Sequence, residues 1–385
     1  MNELVPALAD VLAGLDFNLA DYRRKNPDLA PLGESLDANL DHWLTYGLEE
    51  GRILSFDIDR ERAIAFARSK PALPRGLHRH VVRSVVANAL EKKYYQPPAA
   101  VEAENLIQIQ SVLAFSQFGF SPYLVVGDSH SFAYTLPWMA TRDLLPVWFA
   151  CLGASARGLV NPQSRSGYGA MVKSAIEGLD RRLAAPIPAI FCFGQVDVEF
   201  VYYYKLIQDG LPHSAERVTQ FIAETVARYV AFLVEIGRYR KLKVHAAVIF
   251  PPCLYDETIR AGYINGRIVR INTDADLTFL TEQVKTFDFP SLRERTDIHR
   301  QFNARLREAC RDSGIPVIDL FDDLLRDGVA DERYMVEPKG KDHHLHFNAF
   351  NRLIHERIRP LVRPGLLRRL VVRRRYRGSR AAPAR

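Results

Sequence analysis

Cysteines are few in this sequence, and no two of them stand close together. There are four, Cys151, Cys192, Cys253 and Cys310, and none forms the Cys-x-x-Cys pair that is typical of zinc sites and redox disulfides. The first two lie in apolar, strand-like segments. We therefore expect reduced thiols, and we expect neither a disulfide framework nor a metal or other cofactor.

Long apolar runs are also missing. Of the 385 residues, 48% are hydrophobic and 25% are charged, but no stretch approaches the ~20 apolar residues of a membrane-spanning helix. Residues 1–15 carry acids and no basic segment, unlike a secretory signal. These absences predict a cytoplasmic protein, and the length suits one large domain with a smaller one beside it.

Acidic residues are absent from the C-terminal end. Residues 363–385 hold nine arginines and no acid, so the formal net charge of +7 leaves 7 − 9 = −2 for the remainder of the chain. No basic patch interleaved with aromatic residues indicates nucleic-acid binding. The basic tail favours either contact with an anionic membrane surface or a solvated, disordered terminus.

From residue 123 onward, short apolar runs alternate with helical patterns. The runs have strand length and cover 123–126, 146–153, 187–194, 243–250 and 316–320. The helical patterns cover 167–183, 215–239, 292–313 and 349–361. This alternation predicts an α/β fold with a doubly wound, parallel five-stranded sheet. Residues 256–281 depart from this alternation, because Asn265-Gly266 favours a hairpin over 263–272 where a crossover helix would be expected.

Ser129 is the candidate nucleophile of this predicted sheet. It follows an apolar strand that ends at Gly127, where the missing side chain permits a sharp bend. Ligands bind at the carboxyl edge of an open α/β sheet, and a helix that begins there offers unpaired N–H groups to a developing negative charge. An ordinary helix N-cap is the alternative role for a serine at this place.

Two later stretches fall at the same predicted edge. One strand stops at Gly194 and delivers Asp197, and a loop near the C-terminal end carries Asp342 followed by three histidines. The chain order serine, aspartate, histidine suits nucleophilic catalysis, in which a histidine takes the serine proton and the aspartate orients it. In an extended loop His344 and His346 would share a face with the aspartate, so spacing alone leaves the choice between them open.

Residues 123–361 resemble the SGNH/GDSL hydrolase superfamily, which implies a flavodoxin-like sheet and a serine nucleophile. The stretch 127–130, Gly-Asp-Ser-His, matches the first block of that family, with Ser129 in the nucleophile position. The stretch Ala-Ser-Ala-Arg-Gly that ends at Gly158 is similar to the second block, whose glycine N–H helps to bind the oxyanion. The resemblance thus implies oxyanion donors at Ser129 and Gly158, with Gly153 as the competing choice.

The third block departs from the family pattern at one position. Residues 194–197, Gly-Gln-Val-Asp, stand where the family has Gly-x-Asn-Asp. Val196 therefore replaces an asparagine that would donate to the oxyanion, and the loss of one such donor costs ~10²- to 10³-fold in rate in another hydrolase. Either Gln195, the nearest candidate, substitutes for it, or the activity is weak or lost.

The last block is also irregular. The family pattern is usually Asp-x-x-His, whereas Asp342 is followed here by His343, His344 and His346. His344 keeps a short Asp-x-His spacing found in some relatives that acetylate polysaccharides. His346 has the family's downstream context, with Phe and Asn leading into a helix, and is the favoured base.

Residues 16–53 have a character of their own. Their aromatic and apolar spacings suit two or three short helices, and they resemble a helical module found beside glycosyltransferases and other polysaccharide-assembly proteins. The matching residues are Tyr22, Asn26, Pro27, Asp28, Leu29, Gly33, His42, Trp43, Tyr46, Gly47, Glu50, Gly51 and Arg52. The expected organisation is a helical module over 1–56, a helical connector over 57–122, the hydrolase-like domain over 123–362 and the basic tail over 363–385.

The two resemblances together imply a serine esterase or O-acyltransferase that acts on acyl groups of a carbohydrate, in polysaccharide or glycan assembly. Its partner would be an acylated carbohydrate or another small ester, and not a nucleic acid. The alternative is a catalytically silent, carbohydrate-associated binding or scaffold protein of the same fold. The oligomeric state is open at this point.

Overall fold

In the computed structural model, five parallel strands form one sheet. They are β1 (Ser121–Gly127), β2 (Leu144–Ala150), β3 (Ile187–Cys192), β4 (Leu242–Ala247) and β5 (Val317–Ile318), and they lie in the order β2-β1-β3-β4-β5. This is the flavodoxin-like order of a doubly wound sheet. The prediction of an α/β fold with a parallel five-stranded sheet is confirmed.

The structure describes residues 4–50, 52–69, 72–91, 121–135, 144–164, 166–183, 185–263 and 274–362. Three sequence predictions fall wholly or largely outside these ranges: the basic tail over 363–385, the hairpin over 263–272 and the later half of the connector over 92–120. Among the described helices, none combines the length and the apolar character that a membrane crossing requires.

Both faces of the sheet are buried, which explains the nearly continuous apolar runs of its strands. Alternate residues of β1 point to opposite faces: Leu124 and Val126 belong to one buried cluster, and Tyr123 and Val125 belong to another. The first cluster also contains buried side chains of the N-terminal helices.

Four long helices lie close to where the sequence predicts them: Tyr168–Arg182, Ala215–Ile236, Leu292–Asp312 and Asn351–Val362. Side-chain caps define where two of them begin. Ser214 accepts the backbone N–H of Arg217 at the start of the second helix. Ser291 and Glu294 form a reciprocal capping box at the start of the third, which satisfies N–H groups that the first helical turn leaves unpaired.

The sequence pattern misses three shorter helices: Tyr202–Gln208, Asp256–Arg260 and Asp274–Thr286. The last two occupy the ends of residues 256–281, where the sequence indicates a hairpin excursion instead of helix. A helix of five residues completes little more than one turn, so hydrophobic periodicity cannot reveal it. A separate antiparallel pair joins Leu325–Arg326 to Val329–Ala330.

The N-terminal region is helical, as predicted. Its α-helices are Leu4–Ala13, Leu19–Lys25, Leu36–His42, Leu48–Glu50, Arg60–Arg68 and Arg75–Glu91. The rings of Tyr22 and Trp43 are buried, and the Trp43 indole N–H donates to the Arg52 carbonyl at 3.0 Å. The Arg52 guanidinium pairs with the Asp28 carboxylate at 2.6 Å. Several residues that carry the module resemblance therefore stabilise this region itself.

Candidate active site

β1 delivers Ser129 to the carboxyl edge of the sheet. Gly127 ends the strand, and a Cβ there would lie 2.4 Å from the carbonyl oxygen of Cys192 on β3, so the bend beside β3 requires glycine. Ser129 then begins the 3-10 helix Ser129–Thr135 and is half-buried. Because the strand order reverses between β1 and β3, the serine lies at the switch point where ligands bind in such sheets.

Ser129, His344 and Asp342 form a continuous hydrogen-bonded chain. Nε2 of His344 lies 2.8 Å from Ser129 Oγ, and Nδ1 of the same ring lies 2.8 Å from Asp342 Oδ1. With Nδ1–H donating to the carboxylate, Nε2 presents a lone pair to the serine hydroxyl. The prediction that an imidazole of this loop reaches Ser129 is confirmed. The arrangement has the geometry of a serine nucleophile, its base and an orienting acid.

His344 makes this contact and His346 does not, so the preference for His346 is wrong. The Asp342 carboxylate also accepts the backbone N–H of His344 at 2.8 Å, and this turn keeps the loop from being extended. Asp342, His344 and His346 therefore do not line one common face, as they would in an extended loop. His346 is exposed, and its backbone N–H donates to the carbonyl of Tyr334 at 2.6 Å.

The pKa values in this group suit proton transfer from the serine. Burial lowers the pKa of His344, and the hydrogen bond with Asp342 offsets only part of that effect. The same hydrogen bond lowers the pKa of the Asp342 carboxyl. At neutral pH the imidazole is therefore neutral and the carboxylate is charged, so Nε2 can accept the Ser129 proton.

The N–H of Gly158, the oxyanion donor that the family resemblance implies, is already occupied. It donates to both the carbonyl and the hydroxyl of Ser155, at 3.0 Å each. Gly153, the competing choice, lies just beyond β2, which pairs with β1, and has a φ of 74°. In the part of the chain that the structure describes, the backbone N–H groups of Ser129 and Gly153 have no hydrogen-bond partner. These two groups are left free to receive an oxyanion.

Gly194 and Asp197 have structural roles beside the site. The buried Asp197 carboxylate accepts the backbone N–H groups of Ala156 at 2.5 Å and Arg157 at 3.3 Å, and burial raises its pKa to about 7. Gly194 has a φ of 114°, and a Cβ there would lie 2.3 Å from Cζ of Phe302. Asp197 therefore holds the loop after β2 in place, and Gly194 lets the chain after β3 bend beneath a packed ring.

Gln195 does not substitute for the missing oxyanion donor. Its amide oxygen accepts the backbone N–H of Phe250 at 2.8 Å, and its amide nitrogen donates to a carboxylate oxygen of Glu199 at 2.7 Å. The side chain is thus held by Phe250 on the loop after β4 and by Glu199 four residues further along its own segment. Val196 is 2% exposed and has no polar side-chain atom, so the third block contributes no side-chain donor.

Sequence reasoning assigns no role to two residues that contact this site. His130 is buried next to Ser129, and its Nδ1 lies 3.1 Å from Asp128 Oδ1. The hydroxyl of Tyr263 lies 2.6 Å from Nδ1 of His343. The signal for His130 is its Asp-x-His spacing, which is the same spacing that joins the aspartate and histidine of the C-terminal loop. No comparable sequence signal points to Tyr263.

Three histidines cluster at the site. Nitrogen atoms of His130, His343 and His344 lie within 4.8 Å of one another, a grouping from which metal sites can be built. Both ring nitrogens of His130 and both of His344 already face oxygen atoms at hydrogen-bonding distance. The cluster is therefore organised by hydrogen bonds of its ring nitrogens to Asp128, Asp342, Ser129 and the His343 carbonyl.

Comparisons with known proteins give likeness in structure alone. No protein-family profile matches the sequence, and no curated protein matches it. A GDSL-like lipase of Bacteroides thetaiotaomicron is 11% identical with a TM-score of 0.35, covering 62% of this chain and 88% of its own. An extracellular lipase of Streptomyces rimosus is 13% identical with a TM-score of 0.34, and the match covers 62% of this chain and 99% of the lipase chain. The periplasmic domain of a lipopolysaccharide acetyltransferase of Salmonella ser. Paratyphi A is 11% identical with a TM-score of 0.34, covering 69% and 96%. At these identities and TM-scores, the likeness says nothing of the reaction.

Proposed function

We propose that this protein is a serine enzyme of the SGNH type that cleaves or transfers acyl esters. The observation that carries the proposal is the chain from Ser129 Oγ through His344 to Asp342, with 2.8 Å at each step. It lies at the carboxyl edge of the sheet, where β1 leads to Ser129 and the neighbouring β2 leads to Gly153, and the backbone N–H groups of these two residues have no partner among the described residues.

The reaction follows from this geometry in two halves. Ser129 Oγ attacks the acyl carbonyl carbon while Nε2 of His344 takes the hydroxyl proton. The ester bond then breaks, and the imidazolium returns that proton to the leaving alcohol. In the second half, water or an acceptor hydroxyl attacks the acyl-serine, with the same imidazole first taking and then returning a proton. Asp342 keeps the ring oriented throughout.

Two backbone donors stabilise the oxyanion in this proposal. They are the N–H groups of Ser129 and Gly153, because the Gly158 N–H and the Gln195 amide are engaged elsewhere. Val196 supplies no third donor. Since one donor is typically worth ~10²- to 10³-fold in rate, we expect turnover well below that of an enzyme with three.

The substrate in this proposal is an acyl group on a carbohydrate, in polysaccharide or glycan assembly. Its support is the N-terminal resemblance over 16–53 to modules found beside glycosyltransferases. The proposal further locates the protein in the cytoplasm, with the basic tail over 363–385 against an anionic membrane surface. Full-length protein should bind anionic vesicles more tightly than a chain that ends at Pro364, and equal binding would remove the membrane contact.

A catalytically silent carbohydrate-binding protein is the second candidate. The observation that favours it is the oxyanion site, where Val196 stands in the place of a donor and is 2% exposed. A binding protein could keep the hydrogen bonds around Ser129 for structural reasons alone. It would need neither a free nucleophile nor a third donor.

A fluorophosphonate probe separates the two candidates. It forms a covalent bond to a serine only where a base activates the hydroxyl and the site receives the developing negative charge. We expect stoichiometric labelling of the wild type and none of Ser129→Ala. Ser155→Ala is the matched control, because Ser155 lies on the neighbouring loop and should leave labelling of Ser129 in place. An unlabelled, folded wild type would decide for the binding protein.

A further inference from the structure

Two Asp-x-His turns of the same geometry face each other at the site. In the first, Asp342 Oδ1 accepts the backbone N–H of His344 at 2.8 Å and lies 2.8 Å from its Nδ1. In the second, Asp128 Oδ1 accepts the backbone N–H of His130 at 2.9 Å and lies 3.1 Å from its Nδ1. The centroids of the two imidazole rings are 4.8 Å apart. One ring reaches Ser129, whereas the other is buried.

The ring of His130 meets an acceptor on both sides. Its Nδ1 faces the Asp128 carboxylate, and its Nε2 lies 3.3 Å from the carbonyl oxygen of His343. A neutral imidazole has a single N–H, so only the imidazolium can donate to both oxygens. Asp128 is itself buried, and its Oδ2 has no hydrogen-bond partner among the residues that the structure describes. A buried carboxylate costs far less free energy when a cation is paired with it than when it is alone.

We propose that His130 is a charged positioning residue, which as an imidazolium paired with Asp128 fixes the carbonyl of His343 and keeps His344 neutral. The proposal deepens the function proposed above and rests on it for its catalytic consequence. The charge itself follows from the two acceptors and does not depend on any reaction.

The charged and titratable groups around His130 agree with this assignment. They come from the segments after β1 and β3, from the helix Leu292–Asp312 and from the C-terminal loop: Asp128, Glu199, His299, His343 and His344. Burial works against the charge of His130, but the hydrogen bond and the charge of Asp128 outweigh it and raise the pKa. Burial raises the pKa of Glu199 to about 7, so this carboxylate adds to the effect mainly above neutral pH. Burial lowers the pKa of His299 to about 3, and burial also lowers that of His343. Of these histidines, His130 is the one that carries the proton.

A fixed positive charge beside His344 opposes a second positive charge there. At a ring separation of 4.8 Å, the repulsion between unit charges corresponds to ~0.6 to ~2.5 pH units, taking the effective dielectric constant between ~80 and ~20. Burial is the larger cause of the lowered pKa of His344, and the repulsion from His130 adds to it, whereas Asp342 and Asp128 act in the opposite direction. Together these effects keep His344 the free base, ready to take the serine proton, at a pH where an isolated histidine would be partly charged. The hydrogen bond to the His343 carbonyl meanwhile holds the peptide that carries His344.

Nitrogen-15 NMR of the histidine rings tests the charge directly. In the wild type, both ring nitrogens of His130 should be protonated at pH 7. The ring nitrogens of His344 should have the chemical shifts of a neutral imidazole. His130→Gln keeps one amide donor for the His343 carbonyl but carries no charge, so the pKa of His344 should rise, by up to ~2.5 pH units where Asp128 stays ionised and by less where Asp128 takes up a proton. A neutral His130 in the wild type would overturn the proposal, and this measurement requires no variant to fold.

The pH dependence of fluorophosphonate labelling gives the catalytic readout. The acid limb of the rate should move to higher pH in His130→Gln, whereas the exposed His346→Gln should leave it in place. If the acid limb of the labelling rate stays at the same pH in a folded His130→Gln protein, the proposed effect of His130 on the protonation of His344 is refuted. If the wild type is not labelled while His130 is doubly protonated, the proposed function fails and the charged pair stands.

Discussion

Replacing the two histidines of the C-terminal loop one at a time tests the assignment of the base. His344 and His346 are two residues apart, yet Nε2 of His344 lies 2.8 Å from Ser129 Oγ and His346 is exposed. We therefore compare His344→Gln with His346→Gln. Glutamine has a similar reach and keeps hydrogen-bonding capacity, but it cannot accept the serine proton at neutral pH.

The structure sets different magnitudes for the two substitutions. Loss of a positioned general base costs ~10²- to 10⁴-fold in rate, which is ~2.7 to ~5.4 kcal/mol of transition-state stabilisation. His344→Gln should fall in that range. A substitution of an exposed side chain typically changes the free energy of unfolding by less than ~0.5 kcal/mol, so His346→Gln should remain folded. Because the His346 ring takes no part in the proposed proton transfer, the rate of this variant should lie within about twofold of the wild-type rate.

The assay is hydrolysis of p-nitrophenyl acetate, with Ser129→Ala as the background. Because burial lowers the pKa of His344 below the ordinary value of 6.5, the wild-type rate should stay on its plateau from neutral pH to below 6.5 and fall at more acid pH. Thermal unfolding of each variant checks that it is folded. The assignment would be refuted by a His346→Gln protein as slow as Ser129→Ala, or by a His344→Gln protein that keeps the wild-type rate.

Three further outcomes follow from the same structure. Val196→Asn should raise ester turnover by up to ~10²- to 10³-fold if its amide reaches the oxyanion, and an unchanged rate would show that it does not. Because burial raises the pKa of Asp197 to about 7, the folded state binds this proton more tightly than the unfolded chain. The contribution of Asp197 to the free energy of unfolding should therefore fall by up to ~4 kcal/mol between pH 4 and pH 8. Urea titrations at several pH values should show a decrease in the free energy of unfolding that is less steep in Asp197→Asn than in the wild type. Gly194→Ala should lower the midpoint of thermal unfolding, since its Cβ would lie 2.3 Å from Cζ of Phe302, whereas Gly178→Ala, which meets nothing within 4 Å in a helix, should raise it slightly.

Much of the fold follows from local patterns. The apolar runs predict every strand of the sheet because strands buried on both faces need continuous apolar residues, although β5 is only Val317–Ile318 within a predicted 316–320. The long helices are predicted for a similar reason, since their periodicity extends over several turns. The helices Asp256–Arg260 and Asp274–Thr286 are missed, because the first is too short to carry such a period and the Asn-Gly pair between them favours a hairpin. The predicted hairpin itself lies outside the described residues.

The sequence by itself determined which chemistry was present: a serine after a strand that ends at Gly127, and an aspartate among histidines on the last loop. Tertiary structure decided which atoms meet. His344 became the partner of Ser129 because Asp342 accepts its backbone N–H and turns the loop. Gly158 and Gln195 have their hydrogen-bonding groups occupied, the first by Ser155 within its own turn and the second by Phe250 on the loop after β4. The contact between Gln195 and Phe250 joins distant parts of the chain, and the local contacts depend on a backbone conformation that the packed fold selects, so spacing along the chain reveals neither.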